Sequence, residues 1–263
     1  MSIPAEGTIE RWAWDYVLST ALSHKLSPPP VPEAWEDAPT ARRLDAPGRP
    51  PELVASTRRS KTPSVGALRD PKRRAELLHV FLHHEVQAAE LMCRALLCFP
   101  DREPAFRRGL LRVALDETRH ARMYDAHLRT LGAHYGAFPV RDWFWERVPS
   151  ATDAVGFVAM LGVGFEGANL DHTLRFAAMF RAAGDEAGAR LQESVGEEEI
   201  PHVRFAARWL AEWTGGLDFG RWLDALPAPL TPLVMRGRPL DTARRLRAGL
   251  DADFLARLEA WEP

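Results

Sequence analysis

One short pattern, a glutamate followed three residues later by a histidine, occurs twice in this chain and constrains its fold more than any other feature. Glu117 and His120 form the first copy, and Glu199 and His202 form the second. Residues three apart in an α-helix lie on the same face. Each copy therefore predicts a helix that presents one carboxylate and one imidazole side by side.

A single glutamate precedes each copy at nearly the same distance. Glu85 lies 32 residues before Glu117, and Glu166 lies 33 residues before Glu199. Apolar residues recur at helical spacing around all four glutamates, so we expect these carboxylates on helix faces that turn toward a core. The chain thus contains two copies of a helix pair, which predicts an all-α, four-helix bundle.

Carboxylates on core-facing positions need compensating charge, because an ion taken out of water costs on the order of several kcal/mol. Two divalent cations would neutralise four glutamates. Bundles that bind two iron or manganese ions supply one Glu from each of two helices and Glu-x-x-His from each of the other two. We therefore predict six metal ligands: Glu85, Glu117, His120, Glu166, Glu199 and His202. The alternative is four partly exposed glutamates at helix ends or in salt bridges.

Other acidic residues and histidines near these positions fit the ligand pattern less well. Glu90 shares its helical face with polar residues, whereas Glu85 lies on the apolar face, so we interpret Glu90 as solvated or as support for a ligand. His83, His84 and His172 do not fall on the ligand faces at suitable spacing. We interpret these three as surface histidines or as residues that support a ligand.

The segments around these glutamates resemble the ferritin-like di-iron carboxylate superfamily. This group includes bacterioferritins, rubrerythrins, ribonucleotide reductase small subunits, bacterial hydrocarbon monooxygenases and tRNA hydroxylases. Residues 85–88 are similar to its first-helix ligand segment, and residues 116–121 are similar to its second-helix segment. The resemblance covers about residues 70–214 and looks most like a ferritin-like family described only as a domain of unknown function. It implies that Asp116 orients a ligand histidine, whereas Glu198 stands where a second Asp is usual.

Capping residues and proline mark the ends of the predicted helices. Asp70 followed by Pro71 is typical of a helix start. The four bundle helices are predicted at about residues 71–98, 104–131, 154–181 and 185–213. Pro201 lies inside the fourth helix, and proline removes a backbone hydrogen bond, so we expect a kink or a π-bulge there. Glycines at 156, 162, 164 and 167 predict either close helix packing or space for dioxygen and substrate.

The sequence outside the bundle divides into an N-terminal and a C-terminal part. Residues 1–69 predict one amphipathic helix over 9–26, followed by a Pro-rich segment with little regular structure. That segment is interpreted either as an arm, wrapped over the bundle or along a partner subunit, or as a loosely ordered linker. Residues 70–216 form the predicted bundle, and residues 217–263 predict short helical pieces that serve packing or oligomer contacts.

Composition narrows the cellular setting. The formal net charge is −2 and two cysteines are present among 263 residues. Cys93 and Cys98 point to different helix faces and are interpreted as reduced packing residues, which fits a cytoplasmic protein. No apolar run is long enough to predict a membrane span, and the N-terminal region lacks the apolar core of a signal peptide.

The pattern favours an oxidoreductase that uses two iron ions to activate O2 and oxidise or hydroxylate an unidentified small organic substrate. Manganese or a mixed manganese–iron pair is the alternative metal content, and the electron donor is unknown. Two other functions compete, namely iron oxidation and storage, and a non-enzymatic metal-bound helical scaffold. We expect a monomer or a small homo-oligomer, because the long additions outside the bundle leave less free surface for a cage.

Transfer RNA is a further partner, suggested by one branch of the superfamily. The near-neutral charge gives no overall electrostatic footprint for nucleic acid. Phosphate contacts would then depend on a local patch of arginines, namely Arg42, Arg43, Arg58 and Arg59. Such charged runs are usually solvated loops, so a small-molecule substrate is favoured over RNA.

Overall fold

The computed structural model describes residues 2–57 and 62–263, and within these ranges the regular structure is helical. Two isolated β-bridges join Thr8 to Ala34 and Ala55 to Val140. The predicted all-α fold class is therefore confirmed. Among the described residues, no helix combines the length and apolar character needed to cross a bilayer. The chain forms two compact units, Met1–Pro149 and Ser150–Pro263, which are described in turn, and the three-part division of the sequence stays a prediction.

The first unit is built on two long helices that pack along each other. Its helices are α1 (Ile9–Leu18), α2 (Leu22–Leu26), α3 (Pro71–Cys98) and α4 (Pro104–Thr130), with a 3-10 turn at Ala67–Arg69. The carboxylate of Asp70 accepts a hydrogen bond from Lys72 N at 2.9 Å, which caps α3 as the sequence predicts. Helix α1 packs against α3. Buried side chains from α3 and α4, including Leu78, Leu82 and Phe106, form the core of this unit.

The single helix predicted over residues 9–26 is wrong, because the chain breaks between α1 and α2. Ser19 has extended backbone angles, and its hydroxyl accepts a hydrogen bond from Ala21 N at 3.2 Å, a local bond that competes with the helix. The last carbonyls of α1 are satisfied elsewhere. Lys25 Nζ donates to the carbonyl oxygens of Tyr16 and Val17, both at 2.8 Å. The break therefore turns α2 back so that a buried ammonium caps α1.

The described part of the Pro-rich segment lies on its own unit as an arm, which confirms that alternative over a loose linker. Arg42 N donates to the carbonyl oxygen of Leu97 at 2.8 Å. Arg94 Nε donates to the carbonyl oxygen of Leu44 at the same distance. The side chain of Leu44 is buried. The arm thus uses backbone hydrogen bonds and apolar contacts to cover the C-terminal half of α3.

Glu90 is fully buried, so the interpretation of it as a solvated residue is wrong. Its carboxylate pairs with Lys25 Nζ at 2.7 Å and Arg49 Nη1 at 2.6 Å, and it accepts from Trp145 Nε1 at 2.8 Å. Burial alone would raise the pKa of Glu90, but Arg49 and Lys25 outweigh that effect and hold the pKa below its usual value. This buried ion triad, Lys25, Arg49 and Glu90, fastens the arm and α2 to α3.

His83 is also buried, so its interpretation as a surface histidine is wrong. Its Nδ1 hydrogen-bonds with the Tyr135 hydroxyl at 2.6 Å, and its Nε2 with Asp142 at 3.0 Å. His84 is half-buried, and its ring lies 4.9 Å from that of Phe144. These histidines connect α3 to the loop that follows α4. His172, in the second unit, is half-buried as well.

The second unit pairs a helical segment of mixed type with one long α-helix. Its elements are α5 (Ala154–Phe157), a π-helical stretch (Val158–Glu166), α6 (Gly167–Ala182), α7 (Glu186–Thr214), α8 (Phe219–Ala225), a 3-10 turn (Pro232–Met235), α9 (Thr242–Arg247) and α10 (Ala252–Ala260). Helix α7 packs against both the π stretch and α6. Helices α8 to α10 confirm the short C-terminal helices. Gly215 ends α7 with a left-handed φ of 74°, which glycine adopts without a steric cost.

The predicted π-bulge at Pro201 is wrong in its location. Helix α7 is α-helical on both sides of Pro201, although proline has no N–H to donate to the preceding turn. The alternative of a kink at Pro201 stays a prediction. The π geometry lies instead over Val158–Glu166, a stretch that ends at a predicted ligand. Wide helical turns of this kind are uncommon and occur frequently at functional sites.

Close packing explains why glycine occupies positions 162 and 164 of the π stretch. A Cβ atom on Gly162 would overlap the Cβ of Ala206, and one on Gly164 would meet Met235 Sδ at 2.5 Å. Gly162 thus lets the π stretch approach α7, and Gly164 lets it approach the 3-10 turn. The structure favours packing over space for a channel at these positions.

Asp171 anchors the C-terminal part of the second unit to α6. The side chain is fully buried and accepts from the backbone N–H groups of Gly237 and Asp241, both at 2.7 Å. Arg245 pairs with it through Nε at 3.0 Å and Nη2 at 2.8 Å. Four hydrogen bonds to one carboxylate satisfy a charge that would otherwise be costly to bury.

Both cysteines are free and buried, which confirms their interpretation as packing residues. Burial is also the main cause that raises the pKa of each thiol, strongly for Cys93. A thiol with a raised pKa forms little thiolate and is a poor metal ligand. Cys93 and Cys98 therefore do not compete with the carboxylates as a metal site.

Candidate metal centre

Three of the six predicted ligands come together in the first unit. Glu85 projects from α3, and Glu117 and His120 project from successive turns of α4. One ligand atom of each residue lies within 4.8 Å of the other two. His120 Nδ1 is 3.3 Å from Glu85 Oε2 and 3.3 Å from Glu117 Oε2. All three side chains are buried, so the long helix pair holds two carboxylates and an imidazole together away from water.

The spacing of these atoms suits a common metal ion. Nitrogen and oxygen ligands bind such ions at about 2.0–2.2 Å. Two ligand atoms that are each about 2.1 Å from an ion and 3.3 Å from each other enclose an angle of about 100° at the ion. Angles of that size occur in both tetrahedral and octahedral coordination. The buried group of Glu85, Glu117 and His120 could therefore hold a metal ion.

The second unit repeats the Glu-x-x-His geometry on α7. His202 Nδ1 lies 2.9 Å from Glu199 Oε2, and both side chains are buried. Asn169, on α6, donates from Nδ2 to Glu199 Oε1 at 3.1 Å. One oxygen of Glu199 is thus held by an amide while the other faces the imidazole. An amide that fixes one carboxylate oxygen in this way orients the other oxygen.

Glu166 is the last residue of the π stretch, and its side chain is buried. It lies three residues before Asn169 on the same continuous helical segment. The wider turn of a π-helix changes the direction in which a side chain leaves the axis compared with an α-helix. The direction of Glu166 is therefore set by backbone geometry that the sequence pattern does not reveal.

The residues that flank the ligands have their own partners. Asp116 Oδ1 accepts from Arg119 Nη2 at 3.3 Å, and Asp116 is partly exposed. The implied role of Asp116 in orienting a ligand histidine stays a prediction, as does the role of Glu198. Tyr124, seven residues after Glu117, is buried and packs with its ring 5.9 Å from that of Phe81.

Sequence reasoning missed two polar side chains that position the ligand-bearing helices. Asn169 is one of them, and no recognisable spacing distinguishes it from a surface asparagine. The other is Gln87, which is fully buried on α3 two residues after Glu85. Its Oε1 accepts from Phe144 N at 3.0 Å, and its Nε2 donates to the carbonyl oxygen of Arg141 at 3.3 Å. Gln87 thereby fixes the aromatic segment after α4 against α3.

The two described members of the arginine patch considered for RNA differ in exposure, since Arg43 is exposed whereas Arg42 is buried. Arg42 is buried and forms a two-pronged pair with Glu36, at 2.6 and 3.1 Å. Arg58 and Arg59 lie outside the described residues. The guanidinium of Arg42 is therefore already engaged by a carboxylate.

The chemistry of the three candidate ligands limits which metal ions they can bind well. Carboxylate oxygens favour hard ions such as Mg²⁺, Ca²⁺ and Mn²⁺, and imidazole suits iron, zinc and copper. A site with two carboxylates and one imidazole combines both preferences. The histidine in Glu85–Glu117–His120 argues against a site built for Mg²⁺ or Ca²⁺, which take oxygen ligands.

Comparison with known proteins places the chain in a family without assigning its chemistry. The family described as "Protein of unknown function (DUF455)" matches residues 9–256. A relative from Haemophilus influenzae, described as "Uncharacterized protein", is 27% identical over 198 residues, which are 70% of this chain and 68% of that protein. No solved structure matches the chain. Because the family match spans nearly the whole sequence, the protein belongs to the DUF455 family.

Proposed function

We propose that the protein is a ferritin-like dimetal carboxylate oxidoreductase that activates O2 to oxidise or hydroxylate a small organic substrate. The proposed ligands of its two iron ions are Glu85, Glu117, His120, Glu166, Glu199 and His202. The observation that carries the proposal is the buried group of Glu85, Glu117 and His120, with ligand atoms within 4.8 Å of one another. A purely structural ion pair would not need a second carboxylate next to the same imidazole.

The repeated geometry supports two ions instead of one. Glu117 and His120 on α4 contact each other across one helical turn, and Glu199 and His202 on α7 do the same. A four-helix bundle of the ferritin-like type supplies its ligands as two such pairs and two single glutamates. In this proposal Glu85 and Glu166 are the single glutamates.

The side chains have distinct tasks in this proposal. Bound ferrous ions would supply the electrons that reduce dioxygen. The four carboxylates balance the charge of the two ions, and Asn169 keeps Glu199 turned toward His202. Burial of the ligands keeps bulk water away from the position that the two ions would occupy. The catalytic cycle also needs an external electron donor.

Metal analysis tests the first half of the proposal. Protein purified from its own host should contain two transition-metal ions per chain, mainly iron. Two manganese ions, or one manganese and one iron ion, would also suit the proposed ligands. The reduced protein should then react with O2 in a stopped-flow experiment, with an absorbance change that is complete after one turnover. Protein that holds no transition metal after loading with ferrous ions would contradict the proposal.

A ferrous titration and size-exclusion chromatography separate this function from iron storage. We expect a monomer or small oligomer and no uptake of iron beyond two ions per chain. A shell of about two dozen subunits with continued uptake would instead assign storage. Metal binding without any reaction with O2 would assign a non-enzymatic scaffold.

A small molecule is the substrate class that we propose over RNA. The guanidinium of Arg42, one member of the arginine patch, is buried and paired with Glu36. It therefore has little capacity left for a phosphate. RNA binding that saturates at physiological salt concentration would contradict this part of the proposal.

A further inference from the structure

A groove lies between the start of the Pro-rich arm and one side of α4, within the first unit. Its volume is about 540 Å³, which falls in the range of about 300–1,000 Å³ that small-ligand sites occupy. Pro29, Pro30 and Val31 form one wall, and Leu115 contributes to the other. Leu115 is 39% exposed. The groove therefore offers an apolar surface that is open to solvent.

Hydrogen bonds fix the proline wall in place. The buried indole of Trp12 donates from Nε1 to the carbonyl oxygen of Pro29 at 2.9 Å. Arg122 Nη1, on α4, donates to the carbonyl oxygen of Leu26 at 3.2 Å. Proline also restricts its own backbone. A wall held in this way keeps its shape before a ligand arrives, which lowers the entropic cost of binding.

Charged side chains make the lining of the groove positive. Arg119 and Arg122 line it from adjacent turns of α4, three residues apart on one face. Asp116 also lines the groove and pairs with Arg119 at 3.3 Å. Two guanidinium groups against one carboxylate leave the lining with a net positive charge. Arg122 uses its Nη1 for Leu26, and a guanidinium has five N–H donors, so it retains donors for a ligand.

We propose that this groove binds an organic anion with an apolar body, such as a medium-chain carboxylate. Its carboxylate would meet Arg122 and Arg119, because guanidinium groups match carboxylates in charge and in geometry. Its apolar body would lie along Leu115 and the proline wall and lose contact with water. The proposal does not depend on the metal centre, since Glu117 and His120 lie on the buried face of the same helix.

Calorimetric titration of the full-length, metal-loaded protein with octanoate tests the proposal. Octanoate should bind at one site per chain. Octanol, a neutral analogue of the same length, should bind at least about tenfold more weakly than octanoate. Affinity should rise from hexanoate to octanoate to decanoate, since each added methylene removes further apolar area from water. Leu115→Ser should flatten that dependence on chain length.

Two arginine variants identify the groove as the place of binding. Arg122→Gln should weaken octanoate binding about tenfold. Arg108→Gln is the matched control, because Arg108 is exposed on the same helix, about 21 Å along its axis from Arg122. The control should bind octanoate like the wild type. Circular dichroism spectra of both variants establish that α4 remains folded.

Several results would overturn the proposal. One is the lack of saturable octanoate binding up to about 10 mM, and another is equal affinity for octanol. Unchanged affinity in Arg122→Gln, combined with loss of binding on metal removal, would assign octanoate to the metal centre. Saturable binding of a glutamate-rich peptide without binding of octanoate would show that the groove takes an acidic protein segment and not a small anion.

Discussion

The two Glu-x-x-His pairs, one on α4 and one on α7, have the same local geometry in different helical surroundings. In the first unit, α4 packs along α3, and both are α-helical over their whole lengths. In the second unit, α7 contains a proline and packs against a segment that begins as an α-helix, widens into π geometry and returns to an α-helix. The histidine lies within 3.3 Å of its glutamate in both pairs.

This difference shows that the sequence pattern determines the contact within each Glu-x-x-His pair, whereas the backbone geometry determines the direction of the single glutamate. The i, i+3 spacing places carboxylate and imidazole together on any helix that continues through both residues. The direction of the single glutamate depends on its own helix, which is regular around Glu85 and π-helical up to Glu166. A repeat in the ligand pattern therefore does not imply a repeat in the packing that supports it.

Loss of the buried ion triad in the first unit is the largest stability effect that we expect. Glu90→Gln removes the carboxylate that Lys25 and Arg49 share. Arg49 keeps its pair with Asp142 at 2.7 Å, but the buried Lys25 ammonium then faces a neutral amide. Breaking a buried ion pair from one side costs about 3–5 kcal/mol. The free energy of unfolding, measured by urea denaturation, should fall by about that amount.

Glu146→Gln provides the matched control for the triad. Glu146 pairs with Arg141 at 2.6 Å, but its side chain is 41% exposed. Exposed pairs contribute about 0–1 kcal/mol, so this variant should change the free energy of unfolding by less than about 1 kcal/mol. Equal effects of the two substitutions would contradict a stabilising role for burial of the triad.

Removal of each histidine tests whether the two copies of the pattern contribute equally to a dimetal site. His120→Ala and His202→Ala should each lower iron affinity at least about 100-fold, since even residues that only support ligands contribute about 10–100-fold. Iron content after dialysis should fall from two ions per chain to one or none. The measurement is elemental analysis of equal amounts of purified protein.

His134→Ala is the control for both histidine variants, because His134 is exposed. It should retain the iron content of the wild type. Loss of iron in His120→Ala alone would restrict the metal site to the first unit. Unchanged iron content in both ligand variants would contradict the proposed site.

A glycine substitution tests the close packing of the second unit. In Gly162→Ala the new methyl group would overlap Ala206 Cβ, and overpacking of this kind costs about 1–3 kcal/mol. The double variant Gly162→Ala, Ala206→Gly should recover part of that loss, because it restores the space. Thermal unfolding of the single and double variants measures the effect. A stabilising Gly162→Ala would show instead that the site tolerates a side chain.

Local signals in the sequence predicted the main helix boundaries. Asp70 with Pro71 starts α3, because a capping side chain acts through bonds to neighbouring residues. The break after α1 was not predictable, since Lys25 stabilises it through contacts across two helices. The π stretch was also missed, because the π-bulge was expected at Pro201 and not at Val158–Glu166.

The candidate site was predictable where residue spacing determines contact. Glu117 with His120, and Glu199 with His202, follow from the helical repeat alone. Their supporting residues were not predictable. Glu90 looked solvated because its partner Arg49 lies 41 residues away in an irregular segment, and its burial depends on how that segment folds back. Such contacts depend on tertiary structure. The pattern of residues along one helix does not predict which distant segment will pack against it.

The smallest expected effect concerns pH and a buried histidine of the first unit. His79 is 1% exposed, and its Nε2 accepts from Gly136 N at 2.9 Å. Burial is the main cause that lowers its pKa from 6.5 to about 4. Protons therefore bind the unfolded chain more readily, so the contribution of neutral His79 to stability is complete above about pH 6.5 and is lost as the pH falls toward 4. Between pH 7 and pH 5.5 the loss should be about 1 kcal/mol.

The variant His79→Gln keeps a hydrogen-bond acceptor but does not titrate. From pH 7 to pH 5.5 the free energy of unfolding of the wild type should therefore fall by about 1 kcal/mol more than that of the variant. His172 in the second unit, whose pKa burial also lowers to about 4, remains in both proteins and cancels in the difference. Parallel pH dependence of the two proteins would contradict a neutral, buried His79.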